Sequence, residues 1–184
     1  MEERAEKEDF PIIGPDVGHF LYLLTRSMEA RKVLELGSGF GYSALFFGRA
    51  LPAEGTVVCT DMFPGNKTDT EKAFREMEIP CELRFYLGDA LDTARSLEET
   101  FDIVFNDIDK EDYVNSIDAA WERLRPGGLF ITDNVLWYGI VTNPETDDKT
   151  ARSVRQFNDA LQADKRFETS WVPLRDGLTL SRKI

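Results

Sequence analysis

Three oxygen-bearing side chains stand where two apolar runs give out. Asp107 follows Phe101 to Phe105, and Asp133-Asn134 follows Leu129 to Thr132. In a sheet of parallel strands, the C-terminal ends of neighbouring strands face one crevice, so these oxygens converge on a common point. Two carboxylates, one amide carbonyl and open positions suit a hard divalent cation, magnesium before manganese or calcium, better than zinc. Such an ion can hold two adjacent oxygens of a bound molecule and lower the pKa of a hydroxyl among them. Lys110, three residues after Asp107, is placed to take the released proton.

A second set of residues reads as a binding site. The run Glu35-Leu36-Gly37-Ser38-Gly39-Phe40-Gly41-Tyr42-Ser43 closes the first apolar strand with glycines, which let the backbone turn sharply and pass close to a ligand. A dinucleotide site wants G-x-G-x-x-G, whose helix N-terminus receives a pyrophosphate. Here the spacing is G-x-G-x-G with Glu35 beside it, which suits a ligand with an ammonium group and no phosphate, such as S-adenosylmethionine. Asp61 ends the second strand, where an acid accepts hydrogen bonds from ribose hydroxyls. Gly88-Asp89-Ala90 ends the third, where it borders an adenine. A tight turn would explain the glycines alone, a turn or cap Asp61 alone, and an N-cap Asp89 alone. The order of all three at successive strand ends favours the site.

The elements that must position these groups alternate along the chain. Strands are predicted at Lys32 to Leu36, Thr56 to Thr60, Glu82 to Leu87, Phe101 to Phe105 and Leu129 to Thr132. Helices are predicted from about Tyr42, Thr68, Ala90, Tyr113 and Thr150, the fourth stopped by Arg125-Pro126-Gly127-Gly128. Two final strands, Glu168 to Leu174 and Leu178 to Arg182, are split by Arg175-Asp176-Gly177 and must be antiparallel to each other. The pattern gives the fold class: α/β, a doubly wound, mostly parallel, Rossmann-like seven-stranded sheet with an antiparallel C-terminal strand. One domain is expected over residues 1–184, opening on a short N-terminal helical segment, 1–30. The charged start, Met1 to Asp9, reads as a solvated or frayed helix end.

Bulk properties narrow the partners. A net charge of −12 repels a phosphate backbone, and no Lys/Arg run offsets it, so nucleic acid is a disfavoured partner. No stretch approaches the roughly 20 apolar residues that span a bilayer, and the N-terminus lacks the apolar core of a secretory signal. Cys59 and Cys81 form no CxxC, and Cys59 reads as a small core residue. A reducing cytoplasm is the expected location. His19, the sole histidine, reads as partly buried and structural, and Trp121 as core. Trp171 packs in the core or in an interface. Trp137 and Tyr138 are equally explained as packing or as the wall of an aromatic acceptor site.

Asp107-Ile108-Asp109-Lys110 with Tyr113, then Arg125-Pro126-Gly127-Gly128, then Asp133-Asn134-Val135-Leu136-Trp137-Tyr138-Gly139, resembles the cation-dependent class I O-methyltransferase family, which includes caffeoyl-CoA and catechol O-methyltransferases. The likeness runs from about Val33 to Lys183 and includes Pro173 to Leu180. By position it implies cofactor contacts at Glu35, Gly37, Ser38, Ser43, Asp61, Ala90 and Asp109, metal ligands at Asp107, Asp133 and Asn134, and a catalytic lysine at Lys110. It also implies methyl transfer from S-adenosylmethionine, by in-line displacement, to one hydroxyl of a vicinal pair on a small molecule, and a homodimer. Some relatives act on hydroxylated tRNA bases, a reading the acidic balance disfavours. A cofactor-binding module without catalysis is disfavoured by the intact Asp107, Lys110, Asp133 and Asn134. Two departures stand out. Only about thirty residues precede the first strand, which predicts a shortened cover over the acceptor, and Met62-Phe63-Pro64-Gly65-Asn66 reshapes the ribose edge.

Overall fold

Val33, Leu34, Glu35 and Leu36 are buried at consecutive positions, so strand β1 (Lys32–Leu36) is covered on both faces. Such runs mark the interior of a parallel sheet screened by helices. In the computed structural model, which describes residues 1–184, β1 pairs in parallel with β2 (Thr56–Asp61) and β4 (Phe101–Asn106). Strand β3 (Glu82–Leu87) lies outside β2, and β5 (Leu124–Thr132) lies outside β4. Strand β7 (Leu178–Lys183) runs antiparallel to β5, and β6 (Phe167–Val172) forms the far edge, antiparallel to β7. The order across the sheet is β3-β2-β1-β4-β5-β7-β6, with β7 the one reversed strand.

Alternate residues sort into two apolar layers, as the two-residue period of a strand requires. Val33, Val57, Cys59, Ile103 and Phe105 face one layer, capped by α2 (Gly14–Ser27), α3 (Tyr42–Ala50) and α4 (Pro64–Glu76). Leu34, Leu36, Val58, Val104 and Phe130 face the other, capped by α5 (Ala90–Ser96), α6 (Tyr113–Arg123) and α7 (Lys149–Ala163). Each fully buried Leu or Phe here contributes roughly 1.5–3 kcal/mol of transfer free energy. Chain order departs from β1 in both directions, to β2 on one side and to β4 on the other. That switch point opens a crevice at the strands' C-terminal ends.

The structure departs from the sequence reading in places. Helix α4 starts at Pro64, not near Thr68, because proline at the first helical position costs no backbone bond. Arg125-Pro126-Gly127-Gly128 is not a pause before β5 but part of it: Leu124 pairs with Phe101, and the register shifts before Leu129 pairs with Ile103. A bulge tolerates the proline that a regular central strand would not. The charged start is not frayed. It forms α1 (Glu2–Glu8), held by Tyr42 Oη donating to Glu2 Oε1 at 2.6 Å and by Arg4 paired with Asp69 at 2.7 Å. Trp121 is half-buried at the rim of its layer, edge-on to Phe167, with Lys183 Nζ 4.1 Å above its ring. Trp171 is exposed on edge strand β6. No helix is long and apolar enough to cross a membrane.

Candidate functional site

The loops leaving β1 and β4 touch where the crevice begins. Asp107 N donates to Leu36 O at 3.0 Å, and a Cβ on Gly37 would stand 2.6 Å from the Asp107 carbonyl oxygen. Gly37 also holds a positive φ, so only glycine fits there. Beyond this contact lies a cavity of about 420 Å³. Gly37, Ser38, Ser43, Asp61, Asp89 and Ala90 line it, and so do Asp107, Asp109, Lys110, Asp133 and Asn134. Of the cofactor, metal and catalytic residues expected from sequence, only Glu35 is not in its wall.

Glu35 lies directly beneath that wall. It shares the face of β1 that carries Val33, so its carboxylate enters the layer under α3 and is fully buried. Ser43 Oγ donates to its Oε1, and Cys59 Sγ lies 3.4 Å from its Oε2. Burial pushes the carboxyl up to about 7, against the hydrogen bonds from Ser43, Ser38 and Cys59, because a desolvated site disfavours the charged form. Asp61 is fixed before any ligand arrives. Its Oδ2 accepts from Gly39 N at 3.0 Å, and its Oδ1 accepts from Phe63 N at 2.8 Å and Asn66 Nδ2 at 3.0 Å. Three of a carboxylate's roughly four acceptor positions are therefore taken inside the chain. Asn66 belongs to the segment whose sequence departs from the family pattern, and here it braces Asp61. Asp89 does cap α5, accepting from Asp92 N at 2.8 Å, and it lines the cavity as well.

Around Asp107 the wall is a charge cluster. Lys110 Nζ donates to Asp107 Oδ1 at 2.8 Å and to Ile108 O at 3.3 Å, and it lies 5.1 Å above the Tyr113 ring. Tyr113 in turn donates its hydroxyl to Asp133 O at 2.9 Å, tying α6 to the end of β5. Burial raises the Asp107 carboxyl above its ordinary range while Lys110 pulls it back. Burial, then the charge of Asp107, pushes Asp133 up to about 7. Asp133 Oδ1 is buried without a hydrogen-bond partner in the protein. So are the side-chain polar atoms of Asn106, Thr132 and Thr179, which stand in one register row across β4, β5 and β7. No three His, Cys, Asp or Glu side chains form a cluster able to hold a metal; the donors here are two carboxylates and an amide.

The loop after β5 carries strain. Asn134, Trp137 and Tyr138 all have positive φ. The left-handed region costs a residue with a side chain roughly 1–2 kcal/mol. The turn between β6 and β7 braces them: Asp176 Oδ1 accepts from Tyr138 N at 2.6 Å, and Asp176 O accepts from Leu136 N at 2.9 Å. Trp137 and Tyr138 both line the cavity, and Tyr138 is 80% exposed, which packing does not explain.

Sequence reasoning missed two contributors, Phe10 to Ile13 and Arg175. Phe10, Pro11, Ile12 and Ile13 form part of the wall, with the Phe10 ring tilted against Phe40 of the glycine loop, centroids 4.7 Å apart. Their signal was an apolar run directly after a charged one. Met62 and Phe63, named from sequence as part of the ribose edge, line the cavity, each 70% exposed. Arg175, quoted only as part of a turn, reaches the cavity as well. His19 is exposed rather than partly buried and lies outside the cavity, its Nδ1 2.9 Å from Pro15 O.

Comparison with known proteins agrees with this geometry. The family model described as O-methyltransferase matches residues 4–184. A Zea mays protein named caffeoyl-CoA O-methyltransferase 2 is 35% identical over 92% of this chain and 69% of its own length. A Mus musculus protein named catechol O-methyltransferase domain-containing protein 1 is 36% identical over 88% of this chain and 63% of its own. The crystal structure of the O-methyltransferase TomG from Streptomyces achromogenes, in complex with SAM, superposes with a TM-score of 0.89 at 28% identity. That match covers 97% of this chain and 85% of TomG.

Proposed function

Because this chain belongs to the O-methyltransferase family and is an S-adenosylmethionine-dependent enzyme of it, we propose that it methylates one hydroxyl of a vicinal pair on a small, catechol-like acceptor with the help of a divalent cation. One observation carries this reading: the glycine loop with Asp61 and the cluster of Asp107, Lys110, Asp133 and Asn134 line a single cavity. S-adenosylmethionine supplies a methyl group on a positively charged sulfur. Asp61 binds its ribose, Asp89 and Ala90 border its adenine, and Asp109 adds a further contact. Gly37, Ser38 and Ser43, with Glu35 behind them, receive its amino-acid end.

The donor set fits a hard cation. Asp107 and Asp133 are both held above their ordinary range, and Asp133 Oδ1 is buried with no partner, so the one ion pair from Lys110 does not compensate both carboxylates. Asp107, Asp133 and Asn134 would hold the ion, which supplies charge that makes a nearby hydroxyl more acidic. Lys110, which must be a neutral amine to act, takes the hydroxyl proton as the acceptor oxygen bonds to the methyl carbon and the carbon–sulfur bond breaks. Trp137 and Tyr138 flank the aromatic ring.

The test is methyl transfer from labelled S-adenosylmethionine to catechols, hydroxycinnamoyl thioesters and hydroxylated or unmodified tRNA, with and without magnesium. Transfer to the small acceptors that stops in chelator and returns with magnesium is expected. Full activity in chelator removes the metal from the reading; transfer to tRNA alone removes the small acceptor.

A further inference from the structure

We propose that Arg175 selects acceptors that carry a carboxylate, binding that group where the turn between β6 and β7 meets the cavity. Most cations close to the site are already committed. Lys110 is bound to Asp107, and Arg4 to Glu8 and Asp69. Arg175 takes part in none of the molecule's ion pairs. Its hydrogen bond runs from Nη1 to a neutral acceptor, the Ile12 carbonyl oxygen, which leaves most of the guanidinium donors free.

Position gives that free charge a target. Arg175 borders the main cavity together with Asn134 and Tyr138, and it borders with them an adjoining recess of about 330 Å³. Asn134 and Tyr138 line the cavity and the recess alike, so in this proposal an acceptor held at Asp107, Asp133 and Asn134 turns its remaining substituent to Arg175. The guanidinium fork matches the two oxygens of a carboxylate. The backbone adds a second observation. Arg175 holds a positive φ in a turn that already ends in a glycine, a conformation side chains rarely adopt. The same turn braces Tyr138 through Asp176, so the arginine and the aromatic wall are set by one element. The cavity is otherwise rich in acids, and the chain carries a net charge of −12. Arg175 is the one cation of the cavity wall not paired to an acid, and it offsets the repulsion an anionic acceptor would meet there.

The inference rests on the vicinal-hydroxyl reading above, and the two are separable by experiment. Calorimetry on protein saturated with S-adenosylhomocysteine and magnesium would compare 3,4-dihydroxybenzoate, catechol and dopamine, in the wild-type chain and in Arg175→Gln. Expected is a preference for the benzoate over catechol of about tenfold, falling to about twofold or less in the variant. A merely structural arginine, pinning Ile12, would instead weaken all three ligands and S-adenosylhomocysteine together. Equal ratios in the two proteins, tighter binding of dopamine than of the benzoate, or no measurable binding of the benzoate overturns the role of Arg175. Turnover of catechol by the wild-type chain is scored separately, and its failure removes the vicinal-hydroxyl reading instead.

Discussion

At the scale of single residues, Glu35 has the sharpest consequence. Its carboxyl is raised from an ordinary value of 4.5 to about 7, so the folded chain binds that proton more tightly than the unfolded chain. The stability this confers is complete below the ordinary value and lost as pH rises through the raised one. Glu35→Gln keeps the shape and removes the charge. In urea denaturation of the ligand-free protein it should match wild type at about pH 4.5 and exceed it at about pH 8, by on the order of 3 kcal/mol. A constant difference across that range would refute the assignment. Lys110→Ala should leave S-adenosylhomocysteine binding intact, lower turnover by about 10²-fold or more, and recover partly at high pH, where the acceptor ionises unaided. An unchanged rate would exclude the lysine as base. The acids and the lysine of this site were legible as residues at strand ends. The burial of Glu35 was legible too, since positions 33 and 35 share a strand face. What hid it was reading the acid with the loop that follows it instead of with the strand that contains it.

At the scale of elements, the packing of the β1 and β4 loops sets the cavity's floor. Gly37→Ala places a methyl group against the Asp107 carbonyl at a left-handed backbone position. It should cost about 1–3 kcal/mol in thermal unfolding and weaken S-adenosylhomocysteine binding as the loops part. Wild-type stability and affinity in this variant would mean the contact does not govern the site. Strands with long apolar runs and helices with a strong period were readable from sequence. The start of α4 was not, because Pro64-Gly65-Asn66 carries no apolar period. Nor was the bulged start of β5, because Pro126-Gly127-Gly128 looks like a turn until Leu124 is seen paired with Phe101. The turns of 3-10 helix at Lys110–Asp112 and Trp137–Thr142 are too short to leave a period at all.

At the scale of the whole molecule, alternation predicted the layers, but it carries no information on which strand lies beside which. The cover over the glycine loop is likewise a long-range matter: α1 and Phe10 to Ile13 come from the start of the chain, yet they close the cavity against Phe40, Tyr42 and Asp69. Removing the Glu2 and Arg4 tethers together, as Glu2→Ala with Arg4→Ala, should speed dissociation of S-adenosylhomocysteine in stopped-flow measurements. Unchanged release would show that this segment is not a cover. The strand order has one more consequence. Strand β6 finds its only partner in β7, and β7 must enter between β5 and β6. Whatever the order of folding, β6 stays unpaired until Leu178–Lys183 is in place. The parallel half of the sheet can therefore assemble early, while Asp133 and the loop that Asp176 braces gain their final support only when the last strand slots home.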